Sequence, residues 1–302
     1  MTGSLVRRLI NVTVDLNPGD GSTNLNPTFS GTDANRVTVS GLRVSAQVNS
    51  AGAPLSQATI KIFGLTESLM NQLTQIGMTA PQAQARKISV TVQAGDAAAG
   101  LGTVFTGTLY QAWADYQNMP DVMFHILATG GRIDLMKPVP PLSYKGSADI
   151  VTIIQNIAGV LGYAFENHGV EGVKLSNPYY PGTAMEQALS AADDAGVNLI
   201  VEGRVLILTP KGQPRNGAVP LISAETGMIG YPSRTGNGVL VRTLYNPSIK
   251  FGGKIKVRSD IPSANGEWVT TTLDHHLESE TPGGAWMTQV SANVPGAGPV
   301  LR

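Results

Sequence analysis

Hydrophobic and polar residues alternate along most of the first 135 residues. "RVTVSGLRVSAQVN" (Arg36–Asn49) sets Val37, Val39, Leu42, Val44, Ala46 and Val48 on a two-residue period broken at Gly41. "ATIKIFGL" (Ala58–Leu65) repeats the period with Ile60 and Ile62. "KISVTVQAG" (Lys87–Gly95), "TVFTGTLYQAWADY" (Thr103–Tyr116) and "DVMFHILATG" (Asp121–Gly130) follow the same rule. Neighbouring side chains of a strand point to opposite faces, so these segments predict half-buried strands. One helix interrupts them. Thr66 can cap it, Leu69, Met70, Leu73 and Ile76 form its apolar stripe, and Gly77 can end it.

The period changes after "DLMKPVPPLSYKG" (Asp134–Gly146), whose prolines are expected to forbid regular pairing and mark a boundary. Ile150, Val151, Ile153, Ile154, Ile157 and Leu161 then recur at helical spacing, with Ser147 as the expected cap. "GVEGVKLSN" reads as a short extended piece. Thr183 and Glu186 stand at the capping-box offset ahead of a second helix, with Met185, Ala188, Leu189 and Ala192 inward and Gly196 at its end. "NLIVEGRVLILTPKG" (Asn198–Gly212) is a strand pair turning at Glu202-Gly203. Beyond it the chain is strand-rich again and closes on "EWVTTTLDHHLES" and "AWMTQVSANV", joined by the turn "ETPGG". The expected domains are residues 1–135, strand-rich with one helix; 136–212, a small α+β module; and 213–302, strand-rich again.

Composition narrows the function classes. Lys+Arg and Asp+Glu both number 21 in 302 residues, so there is no electrostatic case for nucleic-acid recognition, and little charge repulsion opposes self-association. Cysteine is absent, which excludes disulfides, thiolate metal sites and cysteine nucleophiles. "MTGSLVRRLI" lacks the apolar core of a signal peptide, and no apolar run approaches the roughly 20 residues of a membrane span.

Candidate chemistry concentrates in "TLDHHLESETPGGAWMTQVSA" (Thr272–Ala292), which holds the adjacent pair His275 and His276. A strand sends them to opposite faces, while Asp274, His276, Glu278 and Glu280 share one. A metal-assisted cell-wall hydrolase using Asp274, His276 and Glu278 is one reading. A solvated strand face, with the other histidine toward a core or a partner, is the plainer one. "DLNPGDG" (Asp15–Gly21) resembles a calcium loop without its terminal acid, and turn formation explains it better. "GLGTVFTG", "GGRIDL" and "FGGK" do not make phosphate loops. The paired carboxylates of "AADDAG" (Ala191–Gly196) read as solvated helix surface. Trp113, Trp268 and Trp286 raise a carbohydrate-binding module as a further alternative, although core or interface packing is the simpler account.

Four segments together resemble the baseplate hub proteins of phage tails, especially contractile ones. They are "LSQATIKIFGLTESLMNQLTQ" (Leu55–Gln75), "ISVTVQAGDAAAGLGTVFTGTLYQAWADY", "GMIGYPSRTGNGVLVRTLYNPSIKFGGKIKV" (Gly227–Val257) and the histidine-containing closing hairpin. The middle module is similar to small helix-strand domains of tail hubs and secretins. The resemblance implies a mainly β fold with an α+β insert, in which two tail-tube-like β-barrel domains flank the module. It implies a structural, non-enzymatic protein forming a homotrimer; no cofactor and no catalytic or metal-binding residue is expected, and whether any ion is bound stays open. Three chains with two barrels each make a pseudo-sixfold ring between a hexameric tail tube and a trimeric central spike. Implied partners are the tail spike protein, the tail tube or tube-initiator protein, the tape measure protein and baseplate wedge proteins. DNA would pass through the lumen transiently and without specificity. The implied location is the virion tail baseplate, after synthesis in the host cytoplasm. With no lysozyme, peptidase or spike β-helix segment in view, the spike is expected to be another chain. The loop Asp15–Thr32, the first strands and the C-terminal hairpin are the expected contact regions. The sequence leaves open whether His275 or His276 faces the core.

Overall fold

The computed structural model describes residues 7–16, 36–51, 56–74, 88–98, 100–117, 119–131 and 138–296. The first strands are β1 (Arg8–Asp15), β2 (Arg36–Val39), β3 (Val44–Ala51) and β4 (Gln57–Phe63). Helix α1 (Glu67–Leu73) precedes β5 (Ser89–Asp96), β6 (Gly100–Asp115) and β7 (Met123–Thr129). The middle of the chain forms β8 (Leu142–Ser143), β9 (Ser147–Asp149), α2 (Ile150–Leu161), β10 (Ala164–Asn167), β11 (Lys174–Ser176) and β12 (Tyr179–Tyr180). Helix α3 (Ala184–Asp194), β13 (Val197–Glu202) and β14 (Val205–Pro210) complete it. The remainder is β15 (Leu221–Ile222), β16 (Ser233–Arg234), β17 (Gly238–Leu244), β18 (Lys254–Val257), β19 (Gly266–Ser279) and β20 (Trp286–Asn293). The fold is mainly β, as the alternation predicts.

The chain divides into two compact units, and the division cuts through three strands, β3, β19 and β20. The first unit takes residues 1–49, 57–130 and 275–287, so the β19–β20 hairpin belongs with the N-terminal strands. Its strand order is β19–β3–β4–β7–β6–β5–β1–β2. One face is mostly apolar, with Thr129, His275 and Ser279 as its buried polar members. Ile10, Val12 and Val14 of β1, Val44 and Val48 of β3, Ile60 and Ile62 of β4, Val90 and Val92 of β5, and Phe124 and Ile126 of β7 are all buried. Strand β1 was not among the expected elements, although Ile10, Val12 and Val14 alternate with Asn11, Thr13 and Asp15 in the required way.

Side chains far apart in this order meet. Arg7 Nε donates to Glu280 Oε1 at 2.7 Å, Arg8 Nη1 donates to the Gly284 carbonyl at 3.0 Å, and the Arg8 guanidinium lies 5.6 Å from the Trp286 ring centre. In the strand order β1 is six steps from β19. At about 4.8 Å per step a flat sheet would separate them by roughly 29 Å, far beyond an arginine's reach. The sheet of the first unit therefore curls until its N-terminal strand and its C-terminal hairpin touch.

The second unit spans residues 50–56, 131–274 and 288–302 and contains separate apolar clusters. In the α+β module, α2 and α3 pack on β10–β14–β13. Ile150, Ile153, Ile154 and Ile157 face Met185, Ala188, Leu199, Val201, Leu206 and Leu208 in one cluster. The caps are local. Thr183 accepts from the Glu186 amide while the Glu186 carboxylate accepts from the Thr183 amide, the expected box. Helix α2 departs from expectation: Ser147 lies in β9 opposite Ser176, and Asp149 caps instead, accepting from the Val151 and Thr152 amides at 2.9 and 3.4 Å. Gly162 ends that helix at φ 70°, a left-handed conformation that glycine adopts without strain. The β13–β14 turn is Gly203-Arg204, one residue later than expected, because Glu202 still pairs with Val205. Prolines at the start of the module do not forbid all pairing, since Leu142 and Ser143 pair with Tyr180 and Tyr179.

The module sheet is covered on its other face too. Ile207 and Thr209 are 1% exposed although they point away from the helices, and a Cβ on Gly252 would meet Ile200 at 2.6 Å. Arg215 pairs with Glu202 and lies 3.8 Å from Glu166, and Lys250 reaches Glu202 at 3.4 Å. The remaining cluster gathers Ile222, Val239, Val241, Ile249, Ile255, Val257, Leu273 and Val290. Among the described residues no helix is long and apolar enough to cross a membrane.

Candidate functional site

Strand geometry separates the histidine pair as expected and answers which one points inward. Leu273, His275, Leu277 and Ser279 are buried along β19, while Asp274, His276 and Glu278 are half-buried on the alternate face. Glu278 and Glu280 are committed to holding the hairpin. Glu278 Oε1 accepts from Ser45 Oγ at 3.2 Å and its Oε2 accepts from the Ala285 amide at 3.0 Å. Glu280 leaves the strand at φ 52° and pairs with Arg7 instead of continuing the face. Among the described residues, no group of three or more His, Asp or Glu is arranged to hold a metal ion.

Each tryptophan is engaged within the fold. Trp113 stacks on His125 with ring centres 4.8 Å apart and planes 4° from parallel. Trp268 Nε1 donates to the Ala264 carbonyl at 2.9 Å, and Trp286 lies beneath Arg8. Asp15, the described end of the candidate calcium loop, pairs with Arg36 at 2.9 Å, and residues 17–32 of the expected contact loop lie outside the described residues. The expected helix positions Ile76 and Gly77 lie outside them as well. Asp193 and Asp194 are exposed, and Asp194 accepts from the Tyr180 hydroxyl at 2.9 Å. "FGGK" is a turn with Gly252 at φ 70°.

The outward face of the first unit carries the less obvious features. Lys61, His125 and Trp113 stand in register across β4, β7 and β6. The His125 Nε2 atom is buried, has no hydrogen-bond partner among the described residues, and lies 4.0 Å from Asp115 Oδ2. Burial, and then the Lys61 charge, hold its pKa below the ordinary 6.5 against the opposing pull of Asp115. Further along, Thr38, Thr13, Thr91 and Thr106 form a row across β2, β1, β5 and β6, with the Thr13 and Thr38 hydroxyls 3.0 Å apart. This face is polar with few charges. Period-two alternation predicts such a face but not the cross-strand register that aligns it. The geometry offers extended strand surfaces and hairpins held by long-range contacts.

Solved structures share this fold. The tail protein from Neisseria meningitidis MC58 superposes with a TM-score of 0.61 at 8% identity, covering 97% of this chain and 98% of that one. The prophage MuSo2 43 kDa tail protein from Shewanella oneidensis gives 0.57 at 10% identity over 96% and 99%. The E. coli c3393 protein is a type VI secretion component with structural similarity to the T4 bacteriophage tail proteins gp27 and gp5. It gives 0.53 at 9% identity over 86% and 76%. At such identities these likenesses establish the fold of tail proteins. Residues 24–284 match the family model for the baseplate hub gp41, and the chain belongs to that family. Its location is accordingly the virion, at the tail baseplate. No curated protein sequence matches the chain. The family favours the structural reading of the closing hairpin over the hydrolase and carbohydrate-binding alternatives.

Proposed function

We propose that the protein is a structural hub in which three copies form a ring between the sixfold tail tube and the threefold central spike. The observation that carries this reading is the curl of the first unit, drawn closed by Arg7 and Arg8 on the β19–β20 hairpin. A closed or nearly closed strand unit is the building block that a tube-like ring requires. The strand-rich cluster around Val239, Ile255 and Val290 supplies a second β body in the same chain. Two such bodies per chain give six around a threefold axis, which is how a trimer meets a hexamer without mismatched contacts. The action is assembly by burial of surface, with no chemical step.

In this reading the spike protein sits on the threefold side and the tail tube or tube-initiator protein on the sixfold side. Wedge proteins surround the ring and the tape measure protein occupies its lumen before ejection. DNA then crosses that lumen without stable binding, for which a chain of zero formal net charge is suited.

Sedimentation of the full chain, alone and mixed with the spike protein, tests this directly. A threefold mass in either condition, and a threefold density carrying six β bodies in a reconstruction of the tail tip, are the expected results. A chain that stays monomeric in both conditions, or a tail tip with another copy number, ends the proposal.

A further inference from the structure

Two patches of exposed apolar side chains carry charges of opposite sign. The first is the turn between β6 and β7. Tyr116 is 46% exposed and Met119 72%, beside the exposed Asp121, which meets no cation among the described residues. The second lies on a short antiparallel run. Met228 bridges Thr243, the Ile229 amide donates to the Arg242 carbonyl, and the Leu244 amide donates to the Gly227 carbonyl. Val241 and Thr243 are buried, so Arg242 and Leu244 point outward, and Leu244 covers Gly227. Ile229 is 41% exposed, Leu244 46% and Tyr231 68%. The Arg242 Nε donates to the neutral Gln289 Oε1 at 3.2 Å, and the guanidinium meets no carboxylate among the described residues.

Exposed clusters of large apolar side chains mark interaction sites, and Tyr, Met and Arg are the residues that interface centres favour. Neither patch complements itself, because each would face its own charge. They complement each other in apolar character and in sign. A contact between unlike patches passes from copy to copy and closes into a ring where the rotation allows. We propose that the occupant of the Ile229/Tyr231/Leu244 patch is the β6–β7 turn of a second copy of this chain, with Asp121 facing Arg242. This names a contact for the trimer and rests on that reading.

The absence of cysteine makes the test clean. Met119→Cys and Tyr231→Cys are placed in full chains of different tags, mixed, and oxidised with the spike protein present. The mixture is expected to give a crosslinked pair at least about tenfold above either chain alone or a Val160→Cys control, since the wrong pairings bring like charges together. Asp121→Arg should lower that yield by about tenfold, and Arg242→Asp in the other chain should restore it. Equal yields in all mixtures, or a yield indifferent to the charge reversal, overturn the proposal. If the unmodified chain still sediments as a trimer, only this contact is wrong. If it is monomeric with and without spike, the ring falls with it.

Discussion

In the α+β module, the groups that start a helix stand within a turn of the groups that pack it: Thr183 and Glu186 are three residues apart, and Asp149 immediately precedes Ile150. In the first unit, Arg7 meets Glu280 across 273 positions, and β1 sits between β5 and β2 in a sheet that also takes in β19. Both regions bury branched aliphatic residues almost completely. They differ in how much chain must be ordered before that burial begins. Local contacts need little loop closure, whereas the sheet recovers its entropy cost only when distant segments arrive together. The first unit should therefore be the more brittle of the two to changes far away in sequence.

The strongest way to break the comparison is to remove residues 1–16. Ile10, Val12 and Val14 are at most 1% exposed, and each such side chain contributes roughly 1.5–3 kcal/mol. The total rivals the stability of a whole domain, about 5–15 kcal/mol. Hydrogen exchange should show the amides of β5, β6 and β7 losing protection while those of α2 and α3 keep it. Uniform loss in both regions would mean that they do not differ as argued.

Single cavities give the next largest effects. Phe124→Ala in the first unit should cost about 3–5 kcal/mol, and Ile154→Ala in the module about 2–5 kcal/mol. Chemical denaturation followed by near-ultraviolet and helical signals separately should place each loss in its own unit. A smaller contrast sits at the helix cap. Asp149→Ala should cost about 0.5–2 kcal/mol of module stability while Ser147→Ala costs only a few tenths, read from the midpoint shift. Equal shifts would return the cap to Ser147.

Acid sharpens the comparison most gently. The His125 pKa is held down chiefly by burial, so below the ordinary 6.5 the unfolded chain takes up a proton that the folded first unit resists. Stability supplied by neutral His125 is therefore present above pH 6.5 and lost as pH falls from there to its lowered value. In the second unit, burial pushes the Glu202 pKa up, but Arg215 and Lys250 outweigh it and leave the net shift downward from 4.5. That contribution persists above pH 4.5 and is lost only in more acid solution. Melting of the first unit should fall as pH drops below 6.5, and His125→Gln should flatten the fall. The same slope in wild type and variant would remove His125 as its cause.

Much of the architecture was legible because its causes are short-ranged. Period-two alternation located β3 to β7 and the β19–β20 hairpin, and helical spacing located α2 and α3. The capping box at Thr183 was readable because its reciprocal bonds span one turn. Strand β1 shows the same alternation over only three buried positions, Ile10, Val12 and Val14, next to the chain terminus. The histidine pair was half legible. A strand must send His275 and His276 to opposite faces, yet which face is the core depends on the sheet that β19 joins. Likewise Glu278 and Glu280 look like ligands in one dimension and become hairpin fasteners once Ser45, Ala285 and Arg7 are placed.

The sequence by itself thus determined the element types, the local caps, the neutral charge and the absence of thiol chemistry, because each depends on residues close in the chain or on composition alone. Only the tertiary structure decided strand order, the curl that brings Arg7 and Arg8 to the closing hairpin, the burial of His275 and the register that stacks Trp113 on His125. The physical reason is that backbone pairing is nearly indifferent to partner identity. Which strands pair is settled by the apolar face that all of them must bury together, and that face exists only once the chain has closed on itself.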